Sequence, residues 1–250
     1  MVQTSSYPAS PQLLASWEQL AEKDILCLGL MLPNYSRRLE KDLERMVSIG
    51  ERQKGRNFRN PEDRLRHLLG RAVLRQALAL PDVELSLNPW GKPELPEAGV
   101  HFNISHAGQE VWVVLSKSTA VGVDVEKEQI RDVKSLAKSL HPEEADAILA
   151  LPPEEATFAF CRCWTRKEAA LKALGLGLSF PLVDFRVAID DRASNWLLHA
   201  PGPPGERWTA ADLPVSRGHR GAIAARSPDQ GAKVLRLAPA PDGSFVACHP

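Results

Sequence analysis

The chain has 250 residues, of which 44% are hydrophobic and 25% charged, with equal numbers of acidic and basic side chains and a formal net charge of zero. That length gives one large domain or two smaller ones, each with a real core, and the composition excludes a disordered or fibrous chain. Zero net charge excludes a global field toward nucleic acid or membrane, and no run of about 18 apolar residues signals a membrane span.

Met1 to about Gln12 is rich in Ser and Pro and is expected to fray, and its lack of a basic segment followed by an apolar stretch argues against a secretory signal, leaving the cytoplasm as the default compartment. A strand is predicted at Asp24 to Met31, and a helix at about Arg38 to Ile49. The clearest helix runs from about Pro61 to Leu80. Asn60 caps it, Pro61 suits its first position, and Leu65, Leu68, Leu69, Ala72, Val73 and Leu78 form an apolar stripe at helical spacing. Short strands follow around Val83 to Leu87 and Val111 to Leu115, separated by a turn-rich stretch, Asn88 to Pro93.

Next comes Gly122-Val123-Asp124-Val125-Glu126. Because a strand repeats every two residues, Asp124 and Glu126 share one face while Val121, Val123 and Val125 take the other. Such acids either line a solvated strand edge or, joined by a third acid, form a cage for a hard cation such as Mg2+. A helix at about Phe158 to Leu174 carries Trp164, Glu168 and Lys172 at spacings of four, so Glu168 and Lys172 form either a surface salt bridge or part of a site. Further strands are expected at Phe185 to Ile189, Arg207 to Ala211 and Gly221 to Ala225. Pro201 to Gly205 reads as a loop, and Ser227 to Pro250 as a loosely docked tail. Ser105 to Val113 has a faint counterpart in Arg217 to Ala224. The resulting expectation is an α+β fold of two similar, pseudo-duplicated halves, residues 1–118 and 119–250, with a ligand cleft between them.

Several groups carry rival readings. Phe102 to Gly108 places Ser105 beside His106 just before a strand; adjacency alone makes no nucleophile-base pair, but polar donors at a strand entrance suit phosphate oxygens. The arginines from Arg45 to Arg75 form either a solvated face or a phosphate-binding surface, and without an aromatic platform a small polyphosphate fits better than nucleic acid. Cys27, Cys161, Cys163 and Cys248 lack zinc-like spacing and read as structural or incidental thiols.

Taken together, Gly91-Lys92-Pro93, Phe102-Asn103-Ile104-Ser105-His106, Gly122-Val123-Asp124-Val125-Glu126 and Trp164-Thr165-Arg166-Lys167-Glu168-Ala169-Ala170-Leu171-Lys172, running on to Leu178, closely resemble the Sfp-type 4'-phosphopantetheinyl transferases, over roughly Arg52 to Val187. The resemblance implies an enzyme that moves the 4'-phosphopantetheine arm of coenzyme A onto a serine of an apo acyl or peptidyl carrier protein, using Mg2+ and releasing adenosine 3',5'-bisphosphate. It implies two similar α+β halves around a coenzyme A cleft. It makes Asp124, Glu126 and Glu168 the metal-binding carboxylates. Lys172, Lys92, Ser105 and His106 become the phosphate ligands, and Arg66, Lys54 and His67 lie near the 3'-phosphate or adenine. Glu144 falls where some members carry a proposed general base, with Glu143 adjacent and Glu126 the alternative. The partners implied are coenzyme A and a carrier protein, with no nucleic acid or membrane, and a monomer is expected. Two rival classes share these residues: a magnesium-dependent phosphohydrolase attacking with water, and a non-catalytic carrier-binding relative that would lack one or more of the acids.

Overall fold

A computed structural model describes residues 10–80, 84–95, 98–130, 132–177, 180–191, 195–202, 205–228, 230–240 and 244–248. The predicted features at Met1 to Ala9, Val83, Leu178, Pro203, Pro204, Asp229, Pro241 to Gly243, His249 and Pro250 fall outside those residues.

Four layers follow from strand alternation. The larger sheet has the order β12-β11-β1-β5-β4, formed by Phe245–Cys248, Gly231–Pro239, Asp24–Met31, Glu110–Ser116 and His101–Ala107. The smaller has the order β6-β10-β9, formed by Val121–Lys127, His219–Ala225 and Thr209–Asp212. In β1 and β5 the side chains of Leu26, Leu28, Leu30, Val111, Val113 and Leu115 turn to one core, shared with Leu65, Leu68, Leu69, Ala72 and Val73 of α4 (Pro61–Leu78). The alternate residues Ile25, Cys27, Trp112 and Val114 turn the other way, onto Val121, Val123 and Val125 of β6 and Ile223 and Ala225 of β10. The outer face of the small sheet, including Ala222 and Ala224, packs on Phe160, Ala169, Ala170 and Ala173 of α7 (Pro153–Leu174). The sequence of layers is therefore helix, sheet, sheet, helix, with period-2 alternation filling three cores.

The α+β class agrees with expectation, and each sheet carries one long helix on its outer face. The sheets differ in size, however. The paired sequence stretches both run through a left-handed glycine, Gly108 and Gly218, into β5 and β10.

The chain departs from expectation in several places. The helix expected over Arg38 to Ile49 is two, α2 (Arg37–Glu44) and α3 (Ile49–Arg56), because Ser48 and Glu51 form a capping box that starts a new helix. Of the strand expected around Val83 to Leu87, only β2 (Ser86–Leu87) forms among the described residues, paired with β3 (Pro93–Glu94). Phe102 to His106 is no strand entrance but lies inside β4, which pairs with β5 from His101 to Ala107. Ser10 is buried; its hydroxyl caps α1 (Pro11–Glu18) and donates to the Phe245 carbonyl at 2.5 Å. The segment expected as a loose tail supplies two strands. β11 runs parallel to β1 from Gly231 to Leu237, β12 pairs with β11, and Leu237 and Phe245 enter the first core. The last strands thus complete the sheet that holds β1, β5 and β4.

Between the α5 (Val133–Leu136) and α6 (Pro142–Leu149) region and the small sheet, α7 is the element that matters most for the site. It lies so close to β6 that a Cβ on Gly122 would fall within van der Waals contact of the Ala169 carbonyl oxygen and the Ala173 amide nitrogen. Neither clashing atom is a flexible side-chain end, so a methyl there forces the backbones apart. The Gly122→Ala protein is expected to lose about 1–3 kcal/mol of stability, as for overpacking elsewhere. For a chain of this size that corresponds to a fall of about 3–10 °C in Tm. An unchanged melting curve would contradict the close packing.

Candidate functional site

Gly122, Asp124 and Glu126 share the face of β6 that looks at α7, so the strand places its acids against the helix rather than in open solvent. Asp124 is buried, 3% exposed. Its Oδ1 accepts from the Ser105 hydroxyl at 3.0 Å and from the Lys172 ammonium at 2.5 Å, and Lys172 also reaches the Ser105 oxygen at 3.2 Å. Ser105 is fixed in turn, accepting the Val125 amide at 3.3 Å, while the Asn103 side chain accepts the Val123 amide at 3.0 Å. These two side chains bolt β4 onto β6 where, among the described residues, no backbone ladder joins the two sheets.

Glu168 stands one helical turn before Lys172 on α7, and Trp164, a turn earlier, hydrogen-bonds Glu126. All three acids are held above the usual carboxylate range. For Asp124 the cause is burial, opposed by Lys172 and Ser105. Glu126 is pushed to about 7, first by burial and then by Asp124 and Glu168. Glu168 is raised by burial and then by Asp124. Asp124 Oδ2 and Glu168 Oε1 are buried without a hydrogen-bond partner. An unsatisfied buried oxygen costs on the order of 1–3 kcal/mol, more when charged. Hard anionic oxygens that repel one another in a shielded place are the donor set Mg2+ prefers.

As the side chains stand, no group of three His, Cys, Asp or Glu among the described residues forms a ready-made cage. The reason is local: Lys172 occupies Oδ1 of Asp124 as a built-in cation, and Glu126 is hydrogen-bonded by Trp164. Beside Glu126 opens an apolar groove of about 180 Å³, lined by Ile130, Leu136, Phe160, Cys161 and Trp164. Burial pushes the Cys161 thiol, like that of Cys27, up to about 12, which fits packing rather than reactivity.

The other predicted residues divide by location. His106 follows Ser105 on β4 and is exposed; the protein around it and the nearby Arg66 charge lower its pKa despite its contact with water. Arg66 is buried, its Nε donating to the Gly108 carbonyl at 2.6 Å and its guanidinium pairing with Asp63 and Glu62, so it ties the start of α4 to the β4-β5 turn. Lys54 is exposed on α3. His67 points inward, its Nε2 3.0 Å from the Glu51 carbonyl and its ring against Phe58. Lys92 gives its ammonium to two carbonyls, that of Lys172 at 2.6 Å and that of Val121 at 3.2 Å.

Glu144 lies in the second core, and both its oxygens are engaged. Oε1 accepts the Val187 amide at 2.7 Å; Oε2 accepts the His141 amide at 3.1 Å and pairs with the buried Lys167 at 2.7 Å. Its neighbour Glu143 pairs with Arg186. A carboxylate so committed is a structural pin between α6, α7 and the strand that follows. The arginine run divides: Arg75 and Arg71 both meet Glu51 and Arg64 meets Glu40, while Arg45, Arg56 and Arg59 are exposed.

The sequence reading passed over Asn103, Gly122 and Asn88. Asn103 and Gly122 were visible inside the quoted motifs, where an amide two residues before Ser105 and a glycine two before Asp124 mark same-face positions. Asn88 sat unremarked in its turn.

His67 provides a test that lies apart from the acidic seam. Burial, opposed by its bond to the Glu51 carbonyl, lowers its pKa from 6.5 to about 4. The unfolded chain therefore takes up a proton below pH 6.5 that the folded one refuses until about pH 4, and stability is lost as pH falls through that window. The loss amounts to about 2 kcal/mol by pH 5. Chemical denaturation at pH 7 and pH 5 should show a smaller difference for His67→Gln than for the wild type. Equal differences would remove the buried neutral imidazole from the account.

Comparison with known proteins adds a family. A family model described as the 4'-phosphopantetheinyl transferase superfamily matches residues 120–224, which span β6, α7 and β10. A 4'-phosphopantetheinyl transferase of Bacillus subtilis is 33% identical over 153 residues, 58% of this chain and 67% of that protein. 4'-Phosphopantetheinyl transferase Sfp of Bacillus subtilis strain 168 is 33% identical over 151 residues, 57% of this chain and 66% of its own length. 4'-Phosphopantetheinyl transferase HetI of a Nostoc species is 32% identical over 185 residues, 69% of this chain and 76% of the relative. The chain thus spans about two thirds of the Bacillus relatives and three quarters of the Nostoc one.

Proposed function

Because the chain belongs to the 4'-phosphopantetheinyl transferase superfamily, in its Sfp-type branch, we propose that it transfers the phosphopantetheine arm of coenzyme A to a serine of an apo acyl or peptidyl carrier protein, releasing adenosine 3',5'-bisphosphate. The observation that carries the reading is the Asp124-Lys172-Ser105 cluster beside Glu126 and Glu168, which gathers opposite charges on the seam between β6 and α7.

Mg2+ fits this seam by the chemistry of its donors: Asp124 and Glu168 each present a buried oxygen without a partner, and Glu126 adjoins both. When bound, the ion would neutralise charge on the pyrophosphate. The remaining work falls to the side chains. Lys172 is anchored one turn from Glu168 with its ammonium part-buried, so it can leave Asp124 for a phosphate oxygen and meet the charge that grows on the departing nucleotide phosphate. Ser105 and His106 supply hydrogen bonds from β4, and Arg66 holds the turn that carries them. Lys54, exposed on α3, is free to meet the nucleotide's outer phosphate, whereas His67 supports it from within through the Glu51 carbonyl.

The attacking hydroxyl belongs to the carrier, so the enzyme supplies a base and no nucleophile. We assign that role to Glu126 in preference to Glu144, since Glu126 lines the groove at the site and Glu144 is fully committed to Lys167, His141 and Val187. The apolar groove running from Glu126 to Leu136 is where the arm and the carrier serine would approach.

The reading is tested by mass spectrometry of apo carrier proteins incubated with coenzyme A, Mg2+ and this protein. Gain of one phosphopantetheine arm is the expected result; release of product from coenzyme A with no carrier present would make the protein a hydrolase instead. Glu168→Ala should abolish transfer while the circular dichroism spectrum stays native, and wild-type turnover by that variant would remove the metal assignment. Lys172→Ala should weaken coenzyme A binding and turnover together. If it changed carrier affinity alone, Lys172 would have no phosphate role.

A further inference from the structure

We propose that Lys92 and Asn88 act as positioning residues, clamping the last turn of α7 to the start of β6 so that Lys172 and Glu168 face Asp124. The inference rests on the transferase reading for its kinetic readout, but its geometry stands apart from it. A helix leaves its last four carbonyls without intrahelical partners, and its C-terminal end carries a partial negative charge. At α7 those carbonyls are met by a distant loop. The Lys92 ammonium takes the Lys172 carbonyl at 2.6 Å, and the Asn88 side-chain amide takes the Gly175 carbonyl at 2.8 Å.

The same ammonium also takes the Val121 carbonyl at 3.2 Å, the first residue of β6. One side chain thereby joins the backbone at Lys172 to the strand that bears Asp124. Asn88 prepares the loop for this. Its Oδ1 accepts the amides of Trp90 and Lys92, at 3.0 and 2.9 Å, and the Asn88 amide donates to the Lys92 carbonyl at 2.9 Å, so the turn is set before it docks. The ammonium that binds two carbonyls is desolvated, in keeping with a pKa lowered to about 8 by burial. A phosphate ligand would instead hold its charge toward the nucleotide.

The two roles separate experimentally in the full chain. Lys92→Met and Asn88→Ala are compared with wild type by hydrogen exchange of the peptide covering residues 169–175, by calorimetric titration with coenzyme A, and by turnover on a carrier protein. Asn88→Ala removes no charge and Asn88 is not itself a proposed phosphate ligand, so it keeps the test open if Lys92→Met folds poorly. Clamping predicts faster exchange at the end of α7 in both variants. It also predicts kcat lowered by about 10- to 100-fold, the scale of an ångström of misplacement, with coenzyme A affinity within about twofold of wild type. If Lys92→Met weakened coenzyme A at least tenfold while exchange in α7 stayed unchanged, Lys92 would be a phosphate ligand and the proposal would fall. Wild-type exchange and turnover in Asn88→Ala would overturn it as well. Should wild type itself load no carrier, the transferase reading fails, and hydrogen exchange alone still decides the clamp.

Discussion

The close approach of β6 to α7 at Gly122 is the constraint on which the rest of the site depends. A strand and a helix whose backbones touch bring their side chains two residues and one turn away into shared space, and there the sequence puts Asp124, Glu126, Glu168 and Lys172. Packing energy from the alanine-rich face of α7 and the alternating valines of β6 holds the two elements together. That energy tolerates the cost of crowding three carboxylates in a shielded seam. The raised carboxyl groups and the two unpartnered oxygens are the visible mark of the cost. Sites that bind charged ligands are built in this way, with stability from the scaffold set against unfavourable electrostatics at one place.

The surrounding elements serve the same seam. Asn103 and Ser105 join β4 to β6 by side chain to backbone bonds; Arg66 ties the β4-β5 turn to α4. The buried Glu110 links that hairpin to the opposite side of the fold, accepting from Arg236 of β11 and from the Ser216 amide. Glu144 and Lys167 lock α6 and the segment after α7 from the far side. Glu144, expected as a catalytic base, is held by Lys167 and the Val187 amide, and the segment expected as a loose tail pairs with β1.

What the sequence made legible follows from the range of the interactions. Alternation on β6 and four-residue spacing on α7 are local, and they located Asp124, Glu126, Glu168 and Lys172 correctly on their faces. The α4 stripe and its Asn60 cap were equally local. What stayed hidden was long-range pairing. β11 meets β1 across about two hundred residues, and its largely exposed face carries little apolar pattern, so nothing nearby announced a strand. The fate of Lys92 was hidden for the same reason, because the carbonyls it binds belong to Val121 and Lys172. For Glu144 the motif position said carboxylate, and only the fold could supply Lys167 and the Val187 amide as its partners.

The central claim is that the β6-α7 seam is where the metal and the coenzyme A pyrophosphate meet. Its most direct measurement is paramagnetic broadening in isotope-labelled protein bound to coenzyme A, with Mn2+ titrated in place of Mg2+. The account predicts that amide signals of Asp124 to Glu126 and of Thr165 to Lys172 broaden first and together, and that Glu168→Ala removes the effect. Broadening centred elsewhere, or none at either element, would contradict it.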